Sequence, residues 1–167
     1  CCCRCGSIKY RWKKKPITSN NIPKIVVVGA GFSGWRAVKK LADADAEVLL
    51  IDRHNYHTFI PLLYQVATGF IKPELIAYPL SKALRNISNA SFLKAEVKQI
   101  ELENKAVITD CGAISYDYLI IATGSQTNFL EVSGAPQHTF PLRTLIDAVA
   151  LRNQILNCFE RAEKQNI

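Results

Sequence analysis

Three glycines and one carboxylate are the residues in this chain whose types and spacing could do chemistry: Gly29, Gly31 and Gly34 in Gly29-Ala30-Gly31-Phe32-Ser33-Gly34, then Asp52 closing Glu47-Val-Leu-Leu-Ile-Asp52. The apolar run Ile25 to Val28 precedes the glycines and reads as a buried strand. In that setting Gly29 lets the chain turn tightly, Gly31 lets backbone approach a pyrophosphate, and Gly34 lets the following helix pack against the sheet. Phosphates would sit at the helix N-terminus, where unpaired N–H groups and the positive end of the dipole favour negative charge, and Asp52 would accept from a ribose hydroxyl. The pattern is that of a dinucleotide site.

The elements that must position these residues are legible around them. Trp35, Val38 and Leu41 recur at helical spacing, with Arg36, Lys39 and Lys40 on the other face, and Asp43 to Asp45 break the helix before the second strand. Arg53 to Gly69 reads as an irregular passage too aromatic for a solvated loop. Pro73 to Leu84 reads as a short helix with Leu75, Ile76 and Leu80 inward and a break near Pro79. The alternation from Ser91 to Thr109 predicts a hairpin about Glu103-Asn-Lys105, and Tyr116 to Gly124 predicts a central strand closing on a glycine turn. Leu145 to Ala162 predicts an amphipathic helix entered through Arg143 and Thr144. The fold class expected is α/β, with a central parallel sheet, helices and an inserted antiparallel β-meander.

The net charge of +7 is not spread over the chain. Arg4, Lys9, Arg11, Lys13, Lys14 and Lys15 occupy the first fifteen residues without an acid, which leaves 15 basic against 14 acidic residues for the rest. Residues 1–21 therefore read as a basic, cysteine-rich disordered tail and linker, and a nucleic-acid partner is not expected. Cys1, Cys2, Cys3 and Cys5 lack the second ligand pair of a zinc site, while Cys111, Cys158, His54, His57 and His138 lack metal-ligand spacing, so no metal is expected. Neither a signal peptide nor a membrane-spanning run is evident. The length suits one domain, 22–167. The absence of methionine and the helical end at Ile167 lead us to expect a fragment of a longer protein.

Beyond the glycine motif, Ile51-Asp-Arg-His-Asn-Tyr-His57, Pro61-Leu-Leu-Tyr-Gln-Val-Ala-Thr-Gly69, Ala95-Glu-Val97, Tyr116-Asp-Tyr-Leu-Ile-Ile-Ala-Thr-Gly124 and Arg143-Thr-Leu-Ile-Asp-Ala resemble the N-terminal FAD half of two-dinucleotide-binding-domain flavoproteins. Within that superfamily of pyridine nucleotide-disulfide oxidoreductases the chain is similar to the type II NADH dehydrogenases, single-subunit NADH:quinone reductases. Asn55 to Gly69 is the most specific part of the likeness. The disulfide reductases of the superfamily carry a Cys-x4-Cys pair soon after the ribose-binding acid, whereas this chain has Pro61-Leu-Leu-Tyr-Gln-Val there. A dithiol relay is thereby excluded.

The resemblance implies FAD as cofactor and NADH as co-substrate, with hydride passing from NADH to FAD and electrons to a quinone. It implies that the backbone of Gly29, Ala30, Gly31, Phe32, Ser33 and Gly34 holds the pyrophosphate and that Asp52, with Arg53 beside it, meets the adenosine ribose. Val97 would contact the adenine through its backbone, Ala122, Thr123 and Gly124 would pass near the cofactor, and Ile60 would approach the isoalloxazine end. No catalytic residue is implied, because the flavin does the chemistry and the protein positions it. The NADH-binding domain and the C-terminal part of that family do not follow, so the 22–167 domain is expected to be incomplete and inactive alone. The parent would be peripheral on the cytoplasmic face of a membrane, or organellar in a eukaryote, and a homodimer stays open. Two alternatives stand beside this: a truncated, non-catalytic nucleotide-binding module, for which the 49% hydrophobic share still supports a core, and another FAD/NAD(P)-dependent reductase lacking a redox disulfide. A simple NAD-linked dehydrogenase would alternate strands and helices after Asp52, which the Ser91 to Thr109 pattern contradicts.

Overall fold

A computed structural model describes residues 22–165 of the chain. The cysteine cluster, the basic tail and most of the linker lie outside the described residues. In chain order the elements are β1 (Lys24–Val28), α1 (Phe32–Lys40), β2 (Glu47–Asp52), β3 (Tyr56–Thr58), a 3-10 turn (Ile60–Leu62) leading into α2 (Leu63–Ala67), a second 3-10 turn (Pro73–Leu75), β4 (Ala77–Pro79) and α3 (Leu80–Ala83). They continue with β5 (Ala90–Lys94), β6 (Val97–Glu101), β7 (Ala106–Thr109), β8 (Gly112–Ser115), β9 (Tyr118–Ile121), α4 (Ala135–His138) and α5 (Leu145–Lys164). They fall into two compact units, one running up to His57 and again over Pro79–Gly124, the other comprising Thr58–Tyr78 and the chain from Ser125 onward.

In the first unit four parallel strands lie in the order β5-β2-β1-β9. Alternation along β1 and β2 divides their apolar residues between two faces. Ile25, Val27, Val48 and Leu50 pack with Val38 of α1, Leu80 and Leu84, and Trp35 and Leu41 pack against this cluster. Val26, Val28, Leu49 and Ile51 turn the other way, onto Ala95, Val107, Ile114 and Tyr116. These come from and flank the antiparallel meander β6-β7-β8, which forms the third layer. Both faces of the parallel sheet are thus covered, the condition under which strands read as continuous apolar runs. Asn89 closes the passage from α1 into β2, its amide Nδ2 donating to the carbonyls of Leu41, Ala44 and Ala46 at 2.8, 3.0 and 3.2 Å.

Three expectations change, one of them the central place expected for the Tyr116 to Gly124 strand: β9 lies at the edge of the parallel sheet among the described residues. The hairpin is confined to β6 and β7, where Glu101 pairs with Ala106. Ser91 to Lys94 instead belong to β5, which pairs in parallel with β2, Asp52 opposite Lys94. Alternating polarity is the same for parallel and antiparallel strands and does not name the partner. The helix expected over Pro73 to Leu84 is a 3-10 turn, a strand and a single α turn. Pro79 has φ −61° and ψ 125° as the N-cap of α3, so the break expected near it is found, with a short helix starting directly after it. Ile76 and Leu80 are buried as expected, but Leu75 is 74% exposed.

The second unit is built by α2 lying against α5: Leu63, Val66, Ala67, Ile76 and Ala148 form its core, with Leu145 and Val149 packed on it. A capping box starts α5, with the Thr144 hydroxyl accepting from the Asp147 N–H at 3.2 Å and the Asp147 carboxylate accepting from the Thr144 N–H at 2.8 Å. Thr144→Ala is expected to cost about 1 kcal/mol, read as a lower denaturation midpoint with an unchanged slope. A Thr144→Ser variant should recover it; equal midpoints for the wild type and Thr144→Ala would remove the cap from the account.

Candidate functional site

The site is assembled at one end of the parallel sheet, where β1 turns into α1. The Gly29 N–H donates to the Ile51 carbonyl at 2.8 Å, and the Ala122 N–H to that of Val28 at 2.8 Å. These bonds carry the ladder past the ends of β1, β2 and β9 and pin the turn between its neighbours. Gly29 has φ +101°, and a Cβ there would stand 2.3 Å from the Ala122 carbonyl oxygen. At Gly34 a Cβ would stand 1.8 Å from the Gly29 carbonyl oxygen. Helix, turn and β9 are therefore in direct backbone contact, and no other residue fits at either glycine.

Gly31 differs from both. It is the N-cap of α1 at φ −68°, ψ −167°, a conformation open to any L residue, and a Cβ would meet nothing among the described residues within 4 Å. The Gly31 carbonyl accepts the first helical bond, from Trp35 N–H at 2.9 Å, and no side chain caps the helix. A helix start that no described side chain caps, beside open space, can serve as an anion cradle. A side chain at Gly31 would fill it. Nothing among the described residues requires glycine there.

The Asp52 carboxylate faces this turn from the end of β2. Oδ2 accepts from the Ala30 N–H at 2.6 Å and Oδ1 from the His54 N–H at 2.7 Å. Each bond uses one lone pair of its oxygen and leaves acceptor capacity on the half-exposed carboxylate. Burial, and after it the Asp52 charge, hold the Tyr56 phenol above its ordinary pKa. His57 reaches the same turn from β3, with Nδ1 2.8 Å from the Ala30 carbonyl oxygen and its ring edge-on to Phe32, centroids 5.4 Å apart.

Of the residues expected from the sequence, the structure thus brings together Gly29, Ala30, Gly31, Phe32, Ser33, Gly34, Asp52, Ala122 and Thr123. Arg53 is exposed next to Asp52. Gly124, at φ +73°, ends the β9 turn. Val97 opens β6, paired with Thr109, two residues after Ala95, whose N–H bonds the Asp52 carbonyl at 3.0 Å. Ile60 belongs to the second unit, 40% exposed. In the sequence His57 stands in a motif of the resemblance and lacks metal-ligand spacing, with no role of its own attached to it. The Asn55-Tyr-His57 motif was the available signal. Among the described residues no group of His, Cys, Asp and Glu could hold a metal ion.

A family model described as pyridine nucleotide-disulphide oxidoreductase matches residues 23–164. The chain belongs to that family. Among curated proteins it is 36% identical over 147 residues to a type II NADH:quinone oxidoreductase of Mycobacterium tuberculosis, an alignment covering 86% of this chain and 32% of that protein. It is 30% identical over 156 residues to a mitochondrial external alternative NAD(P)H-ubiquinone oxidoreductase of Arabidopsis thaliana, covering 87% of this chain and 27% of that one. Among solved structures, NDH2 from Plasmodium falciparum in complex with NADH superposes with a TM-score of 0.80 at 26% identity, over 88% of this chain and 31% of that chain. The chain spans about a third of the length of these relatives. Both the expected α/β class and the likeness to type II NADH:quinone oxidoreductases are confirmed.

Proposed function

We propose that residues 22–167 are an FAD-binding portion of an NADH:quinone oxidoreductase that passes hydride from NADH to FAD and electrons to a quinone. The observation that carries this reading is Gly31: its side-chain space is empty, its backbone needs no glycine, and it lies at a helix start that no side chain caps. In this reading the backbone from Gly29 to Gly34 holds the pyrophosphate. Asp52 spends its remaining lone pairs on a ribose hydroxyl, and Arg53 lies beside it. Val97 meets the adenine with its main chain, Ala122, Thr123 and Gly124 pass near the cofactor, and Ile60 lies toward the isoalloxazine end. When bound, FAD supplies the hydride acceptor and the electron donor. The protein's part is to bind and orient it: the turn glycines set the approach, and Asp52 fixes both turn and ribose. No Cys-x4-Cys pair follows Asp52, which favours direct transfer over a dithiol relay. NADH, quinone and a membrane surface are the partners of the longer protein in this reading, which sits peripherally; no described helix is long and apolar enough to cross a membrane.

The visible absorption spectrum of the purified chain, with and without added FAD, tests it. A protein-bound flavin band near about 450 nm is expected. A folded chain that stays colourless at saturating FAD would overturn the reading and leave a nucleotide-binding module without a flavin role.

A further inference from the structure

We propose that His57 is a positioning residue for the diphosphate of the bound dinucleotide, acting through the Ala30 carbonyl to aim the Gly31 N–H into the cradle. The inference rests on the cofactor reading above and adds to it a residue outside the glycine motif. Because the Ala30 carbonyl only accepts, the His57 Nδ1 at 2.8 Å must carry the proton and donate it. Ala30 is shared by two peptide groups. The peptide before it is held from both sides: its N–H, on Ala30, donates to Asp52 at 2.6 Å, and its carbonyl, on Gly29, lies under Gly34. The peptide after it joins the Ala30 carbonyl to the Gly31 N–H. In a planar trans peptide these two groups point in opposite directions. A donor that draws the carbonyl toward β3 therefore turns the N–H away from β3.

This peptide is the one in the turn that local sterics hold least, since Gly31 has no Cβ to restrict its rotation. The rest of the turn keeps its own anchors: the Gly29 N–H on Ile51, the Ala30 N–H on Asp52 and the contact of Gly34 with Gly29. Loss of the His57 bond would leave the turn folded and one N–H misdirected. The imidazole is itself steadied, carried by β3 and set edge-on to the Phe32 ring at an interplanar angle of 83°.

Two substitutions separate the donor from the ring. His57→Phe keeps an aromatic edge against Phe32 and removes the donor. His57→Asn removes the ring but places an amide N–H on the atom corresponding to Nδ1. FAD is titrated into the purified 167-residue chain and its two variants, and each is melted without FAD. We expect His57→Phe to bind FAD roughly tenfold more weakly and His57→Asn within about threefold of wild type, with all three melting alike. Wild-type affinity in His57→Phe, or an equal loss in His57→Asn, overturns the positioning role while leaving the cofactor reading intact. A wild-type chain that binds no FAD overturns both. His57→Leu takes the place of a Phe variant that does not fold.

Discussion

Gly31→Val is expected to leave the fold intact and to weaken FAD binding severely. The two halves of this result have separate causes. A Cβ at Gly31 meets nothing among the described residues within 4 Å, and its φ of −68° and ψ of −167° suit a β-branched residue, so the cost should be limited to the loss of a glycine N-cap, about 1 kcal/mol. The new side chain occupies the space that a pyrophosphate needs, and FAD affinity should fall by roughly 100-fold or more, equivalent to about 2.7 kcal/mol. Thermal melting without ligand and FAD titration on the same preparation read the two halves independently. Wild-type FAD affinity in a folded Gly31→Val protein would show that the cofactor phosphates do not lie over the turn.

Gly34→Ala, only three residues on and a smaller change, should instead prevent folding. The added methyl would stand 1.8 Å from the Gly29 carbonyl oxygen, 3.0 Å from its carbon and 3.3 Å from the Ala122 Cβ. The first two neighbours are backbone, with no rotamer to retreat to. The first turn of α1 would have to lift away from the sheet, taking Val38, fully buried beneath it, out of the core. Overpacking typically costs about 1–3 kcal/mol and occasionally more, and with only backbone to yield at 1.8 Å the upper end or beyond is expected here, a large part of the roughly 5–15 kcal/mol that holds a domain together. Loss of the cooperative melt is the expected outcome. A Gly34→Ala chain that melts with wild-type cooperativity and midpoint would mean that helix and turn are not in contact. The motif thus contains two kinds of glycine: Gly29 and Gly34 are held by close backbone contacts, and Gly31 is not; in the proposed reading Gly31 is kept for what binds.

Much of this was legible in the sequence because its causes are local. A strand, a glycine turn and a helix are neighbours in the chain, and the carboxylate of Asp52 ends the very next strand, so spacing alone implied where the site forms. The second task of Asp52, accepting from the Ala30 N–H, was not legible: an acid at that position signals a ribose equally well whether or not it also ties the turn. The grip of His57 on Ala30 depends on β3 returning to the turn, which no periodicity announces. The pairing of β5 with β2 was hidden for a similar reason, since alternation gives a strand its two faces but not its neighbour. Tyr116 to Gly124 shows the converse error. Its apolar run promised a central strand, yet β9 is at the edge of the four-stranded sheet among the described residues, with Tyr118 and Ile121 more than 60% exposed. Along α5 the expected apolar stripe exists, but only its first half is spent on the core around Ala148; Phe159 is 71% exposed.

The interleaving of the two units sets an order on synthesis. As the chain leaves the ribosome, β1, α1 and β2 emerge early, and the first unit can close as soon as β9 has appeared beside β1. Leu63, Val66 and Ala67 emerge before then, on a helix of five residues, too short to persist in water unaided. Their partners Leu145, Ala148 and Val149 come last. An already folded sheet must therefore carry an unfinished excursion between β3 and β4 until α5 is made, and the second unit is completed only at the end of translation of this segment.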